Sequence, residues 1–321
     1  MARVRAPTKQ LRDSAATLLA AIHRDPDDLA ARAVYADLLQ ELGDPRGEYI
    51  ALQLRSAGGK PGEREIEVAT QYRAAWLGPL DKVLAKKSRF QNGFLYVVVM
   101  KTYRAALTAD ALDHPELRTV RVLDTHGLGA FARIVGDPGE LVARMPHLRE
   151  LVIDAPRCVV ALQQRIESSG ITSLGVYLGG TDALLSLLRA NKLPRLRALR
   201  VWGSDPGPEV LVQLATAVPL DSFGCYLDTP SPRAAISIGK LAQVVPTLAI
   251  SCAWGRLRVA RDGDDLIVTL VEVSRLMTHE RGTPLRTLLE ELGRERVVVA
   301  LDGPGLVDVG KQLAAASFRR R

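Results

Sequence analysis

Cysteine is scarce: Cys158, Cys225 and Cys252 are the only three in 321 residues, and no Cys-x-x-Cys or Cys/His ligand spacing joins them. An odd, scattered set makes neither a disulfide framework nor a zinc site, and it reads as small apolar residues of a reducing compartment. Aromatic residues are only 5% of the chain, so a cluster of them on an exposed surface carries weight as an interface anchor. No stretch approaches the roughly 18 apolar residues that a membrane-spanning helix needs. Residues 1–9 are basic but lack the apolar run of a secretory signal, and a cytoplasmic location is expected. The five histidines are dispersed, with no His-x-x-x-His or Glu-x-x-His pair, and neither a Gly-x-Ser-x-Gly elbow nor a Walker loop occurs. No metal, no cofactor and no catalytic residue are expected.

What is present is a chain with 47% hydrophobic and 25% charged residues, enough for a sizeable core in a globular protein. The net charge of +7 is confined to the ends. Arg3, Arg5, Lys9 and Arg12 stand at one terminus and Arg319, Arg320 and Arg321 at the other, with no acid among either group. The body between them is neutral overall, which argues against a built-in basic groove. The two tails are either solvated ends or a salt-sensitive attraction for an anionic partner such as nucleic acid.

From about residue 114 to 254 one phrase recurs, a Pro followed by Leu-x-x-Leu-x-Val. It begins at Pro115-Glu116-Leu117, Pro146-His147-Leu148 and Pro194-Arg195-Leu196, with looser copies at Ile171, Pro219 and Val245. The first Leu of successive phrases falls at 117, 148, 171, 196 and 220, and stretches of helical pattern lie between them. Strand plus helix in about 24 residues is the length of a leucine-rich repeat, a unit that buries its apolar face only against its neighbours. The fold expected is α/β, a leucine-rich-repeat-like solenoid with a parallel sheet on one face and helices on the other.

Ahead of the repeats, Ser14 precedes a helical run, and Asp25-Pro26-Asp27-Asp28 separates it from a second helix that stops at Gly43. Asp44-Pro45 opens a third. Residues 1–57 thus form a helical module, 58–90 a helical cap or linker with a piece over 80–87, and 91–255 the solenoid, whose first strand follows the Asn92-Gly93 turn. Residues 256–321 form a mixed C-terminal cap with a hairpin around Asp262-Gly263-Asp264.

The segments Val34-Tyr35-Ala36-Asp37 and Gly43-Asp44-Pro45-Arg46-Gly47-Glu48, together with Trp76-Leu77-Gly78-Pro79 and Gly93-Phe94, resemble the bacterial repeat-companion domain found ahead of degenerate leucine-rich repeats. The resemblance implies a recognition scaffold without an assigned activity. The repeat departs from the leucine-rich pattern where an asparagine is expected eight residues after the first Leu, since Thr125, Pro156, Gly179, Ser204 and Asp228 stand there. Tyr35, Asp37, Asp44, Arg46 and Glu48 are either a surface read by a partner or structural, with Arg46 paired to Asp37 across the turn.

With a side-chain period of two, the third, fifth and seventh residues of each phrase point away from the core: Thr119, Arg121 and Leu123 in the first repeat, and their equivalents in the others. Position seven holds Tyr177, Trp202 and Tyr226 in three consecutive repeats, with Gly175 and Gly224 leaving hollows beside them. The expectation is a non-enzymatic protein-binding scaffold that anchors a partner of unknown identity on these rings, with Arg121, Arg200, Glu150 and Asp154 giving orientation. A competing reading, a nucleotide-binding enzyme, rests on Gly127-x-Gly129-x-x-Ala132 after a strand, with Asp154 ending the next. Against it, the same strand phrase recurs without any glycine motif.

Overall fold

The computed structural model describes residues 9–56, 59–101, 107–125, 138–153, 159–160, 170–177, 181–203, 206–227, 232–252, 255–273, 283–292, 297–301 and 319–320. The chain divides into two compact units, Met1–Val152 and Ile153–Arg321.

In the first unit, α1 (Lys9–Arg24) begins five residues before Ser14, so that serine lies inside the helix. The apolar stripe Ala15, Leu18, Leu19 and Ile22 runs along it. Asp28 caps α2 (Leu29–Glu41) by accepting from the Ala31 N–H at 2.9 Å. Asp44 does the same for the Arg46 N–H at the start of α3 (Pro45–Ser56), where Pro45 gives up no hydrogen bond. After α4 (Glu63–Leu77), the helical piece expected over 80–87 is replaced by a three-ten turn, Gly78–Lys82. The chain then enters a hairpin of β1 (Arg89–Gln91) and β2 (Phe94–Val99). Its turn residues Asn92 and Gly93 have φ of +51° and +84°, the pair of left-handed conformations that a two-residue turn of this kind requires.

The core of the three leading helices is Ile22, Tyr35, Ala36, Leu39 and Ile50, and it is completed by Phe94 from β2. The helical module therefore closes its interior only by borrowing a strand residue. Two arginines fasten that strand. Arg32 donates from Nη1 to the carbonyls of Gln91 at 2.9 Å and Asn92 at 2.8 Å, and its guanidinium lies 4.8 Å from the Phe94 ring centroid. Arg46 donates from Nη2 to the Gly93 carbonyl at 2.9 Å and lies 4.7 Å from the same centroid. Burial pulls Arg32 down to about 10. The partner of Arg46 is Glu116, not Asp37: α3 points the guanidinium inward, toward the turn and the carboxylate behind it.

Beyond the hairpin come α5 (Ala109–Leu112), a three-ten turn Pro115–Thr119, β3 (Val122–Asp124), α6 (Pro138–Ala143) and β4 (Glu150–Ile153). Strands β2, β3 and β4 run parallel in chain order. Thr125, fully buried where the repeat pattern asks for asparagine, donates both its N–H and its Oγ1–H to the Val152 carbonyl, at 3.0 and 2.8 Å. A hydroxyl thus forms a rung that an amide side chain makes in the regular pattern. Pro156, Gly179, Ser204 and Asp228 lie outside the described residues.

The second unit alternates strand and helix: β5 (Ser173–Tyr177), α7 (Thr181–Arg189), β6 (Ala198–Trp202), α8 (Pro208–Thr216), β7 (Ser222–Tyr226), α9 (Pro232–Val244) and β8 (Thr247–Cys252). Strands β5 to β8 pair parallel in sequence order. Leu184, Leu187 and Leu188 of α7, Leu211 and Leu214 of α8, and Ile238 and Leu241 of α9 are buried, as are Leu174, Val176, Leu199, Val201, Phe223, Cys225, Leu248 and Ile250 of the strands. The helical and extended periods thus each supply an apolar face. Strands β9 (Gly255–Asp262) and β10 (Asp265–Val273) extend the sheet as an antiparallel hairpin. They are followed by α10 (Thr283–Leu292), β11 (Val297–Leu301), which returns parallel to β10, and β12 (Arg319–Arg320). The architecture is mixed α/β, with open, sequentially ordered parallel strands flanked by helices in a solenoid-like arrangement. Among the described residues, no helix is long and apolar enough to cross a membrane.

Candidate functional site

In the second unit, the strand residues that alternate with the buried apolar side chains form three rows across the sheet, the two glycines of the second row being buried as well. The first row is Ser173, Ala198, Ser222 and Thr247, paired in register on β5 to β8. The second is Gly175, Arg200, Gly224 and Ala249, which continues to Arg258 and Thr269 of the hairpin. The third begins with Tyr177 opposite Trp202. Because Val201 pairs with Cys225, the next position sets Tyr226 beside Trp202, and Tyr226 in turn pairs with Ser251 and Ser251 with Arg256.

The first row consists of small side chains, three of them hydroxylated. Tyr177 is 43% exposed, Trp202 and Tyr226 are half-buried, and Arg200, Ala249, Arg256 and Arg258 are exposed. Neighbouring strands lie about 4.8 Å apart, so the three residues occupy successive places along one row. The hollow expected at Gly224 is filled. A Cβ there would run into Cγ of Arg200, so the aliphatic stem of Arg200 lies across Gly224 and the absence of a side chain is what admits it. Arg256 meets Glu272 on β10 with Nε 3.2 Å from Oε2, an exposed pair that fixes little by itself.

Of the residues singled out from the sequence, Tyr177, Trp202, Tyr226 and Arg200 share this face. Arg121 and Glu150 belong to the first unit, and Asp154 lies outside the described residues. Arg121 is only 6% exposed: its Nη2 contacts Asp27 Oδ2 at 2.7 Å and its Nη1 donates to the His147 carbonyl at 3.1 Å. Thr119 and Leu123, expected to point outward with it, are buried as well. The cause is local. The three-ten turn carries the chain as far as Thr119 and strand geometry begins only at Val122, where Leu123 pairs with the buried Val98 and Leu151, so the inward phase of this strand lies one residue away from the expected one. Glu150 is half-buried on β4. Arg256 and Arg258 escaped the sequence reading because they follow the repeats, yet the alternation Arg256-Leu257-Arg258-Val259 already marks them as the outward side of a strand.

Gly127, Gly129 and Ala132 lie outside the described residues. The histidines near the repeat prolines have structural contacts: His114 Nδ1 accepts from the Glu116 N–H at 3.3 Å, and His147 Nε2 lies 2.9 Å from the His23 carbonyl oxygen. Burial holds the His114 ring below the usual histidine range. Cys225 and Cys252 are buried, and Cys252 Sγ lies 3.2 Å from the Gly255 carbonyl oxygen. Among the described residues, no group of three or more His, Cys, Asp or Glu is placed to hold a metal ion.

No family model, no curated protein and no solved structure matches the chain.

Proposed function

We propose that this chain is a non-enzymatic, cytoplasmic recognition scaffold of the repeat-companion and leucine-rich-repeat type, which docks an acidic segment of a partner protein on the open strand rows of its second unit. The observation that carries the reading is the register of Tyr177 with Trp202, continued to Tyr226, in a chain with so few aromatic residues. Amphipathic rings of this kind supply large contact area at low entropic cost. The charge of the partner is read from the same rows: Arg200, Arg256 and Arg258 are exposed there, with the Glu272 carboxylate beside Arg256.

The test is selection from a displayed random peptide library on the intact chain. Acidic peptides are expected to be enriched, and Trp202→Ala and Tyr177→Ala to weaken them by about 2 kcal/mol or more while the melting temperature holds. Enrichment without acidic bias, or peptides that still bind Trp202→Ala, would reject the reading.

A further inference from the structure

A cleft of about 560 Å³ opens in the first unit along α4, walled by α3 on one side and the β1–β2 hairpin on the other. From α4 come Glu65, Ile66, Ala69, Thr70, Arg73 and Trp76, a single stripe at helical spacing. Its size falls in the range of pockets that enclose small ligands.

One end of the cleft holds a carboxylate with a single hydrogen-bond donor among the described residues. Glu65 is only 7% exposed, yet it has no ion-pair partner among the described residues. Gln53 Nε2 donates to its Oε1 at 3.0 Å, and no group donates to Oε2. Gln53 is itself immobilised: the same Nε2 donates to the Tyr49 hydroxyl at 2.9 Å, and its Oε1 accepts from the Gly93 N–H at 2.7 Å. Burial, helped by the Glu65 charge, pushes Tyr49 up to about 12. Among the described residues nothing occupies Oε2, and that oxygen is not enclosed, so it stands open to a donor that enters the cleft.

The other end is cationic. Arg73, two turns further along α4 and about 12 Å away by helix rise, lies 5.5 Å from the Phe90 ring centroid and donates from Nη1 to the Ser88 carbonyl at 3.0 Å. Exposed Arg89 stands beside it on the rim. The wall at this end is aromatic, with Tyr49 and Trp76 stacked at 4.9 Å and Phe90 edge-on to both.

We infer that this cleft binds a short dipolar ligand of peptide character, its ammonium group against Glu65 and its carboxylate toward Arg73 and Arg89. The separation of the charges suits an extended chain of three to four residues, at about 3.5 Å each. The aromatic wall adds attraction for the cation and for apolar side chains. The ligand is therefore distinguished from the acidic partner proposed for the second unit by size, by charge and by place in the chain.

The probe is the tetrapeptide Ala-Phe-Phe-Ala with free ends, titrated into the full chain and followed by calorimetry and by the shift of Trp76 fluorescence, with Trp76→Phe as the optical control. The free-ended peptide is expected to bind. N-acetylation should weaken it by about tenfold or more, as should Glu65→Gln, which keeps the shape and the Gln53 contact but removes the charge. C-terminal amidation should weaken it less, because Arg73 and Arg89 share that end. Glu65→Gln should melt at the temperature of the parent chain or above it, which separates lost recognition from lost folding. No binding of the free-ended peptide, or equal binding of its N-acetylated form, would overturn the inference.

Discussion

Arg46 and Glu116, seventy positions apart in sequence, meet at 2.5 Å with their side chains 13% and 4% exposed, and the second oxygen of Glu116 accepts from the Leu95 N–H at 3.0 Å. One carboxylate thus joins α3, the three-ten turn before β3 and the backbone of β2. Removing one member leaves the other charge buried and unpaired. Glu116→Ala is expected to cost about 3 kcal/mol in urea unfolding, and Arg46→Met combined with Glu116→Met distinctly less than the sum of the two single changes. Additive losses would show that the pair is not coupled.

The hairpin turn supplies a second test. Gly93 has φ of +84°, and a Cβ there would collide with Ile50, so Gly93→Ala meets both backbone strain and the core of the helical module. A loss of about 2 kcal/mol or more is expected. Gly263, in the hairpin of the second unit at φ of +61°, has open space around it, and Gly263→Ala should cost about 1 kcal/mol, the backbone share alone. Equal losses at the two sites would place the whole effect in the backbone.

His23 adds a pH dependence. Burial, and then the charge of Arg118, hold its pKa below 6.5, and its Nε2 is enclosed without a hydrogen-bond partner. A base whose folded pKa is depressed favours the folded state fully above its unfolded value, because below that value the unfolded chain takes up the proton first. Stability should therefore be complete above about pH 6.5 and decline as the pH falls toward the folded value, with His114 acting in the same sense. Glu48 and Glu209, lowered by hydrogen bonds from Arg64 and Lys240, are exposed and act only below the carboxylate range. The urea midpoint is expected to fall between pH 7.5 and 5 in the parent chain and to fall less in His23→Phe. A flat profile in the parent chain would rule out this linkage.

The second unit was the more legible half. Its strands and helices alternate on schedule because each carries a complete amphipathic period, and the register of Tyr177, Trp202 and Tyr226 follows from counting residues within a repeat. The first repeat misled where a three-ten turn replaced the start of the strand, a choice that Pro115 and the buried Glu116 make together and that periodicity does not register. Thr125 shows the converse, since its hydroxyl bonds to the Val152 carbonyl across a strand, from a position that the sequence pattern alone reads as a departure.

Local chemistry written in the chain determined the helix caps at Asp28 and Asp44, the left-handed turn at Asn92 and Gly93, and the alternation that separates buried from outward strand residues. Only tertiary structure decided which charges are spent inside. Arg121 and Arg46 are turned inward by carboxylates far away in sequence, Arg200 covers a neighbouring strand's glycine, and Glu65 is left half-completed at the end of a cleft. The physical reason is that backbone preference acts over a few residues, whereas the cost of burying a charge is set by whatever the folded chain brings within hydrogen-bonding distance of it.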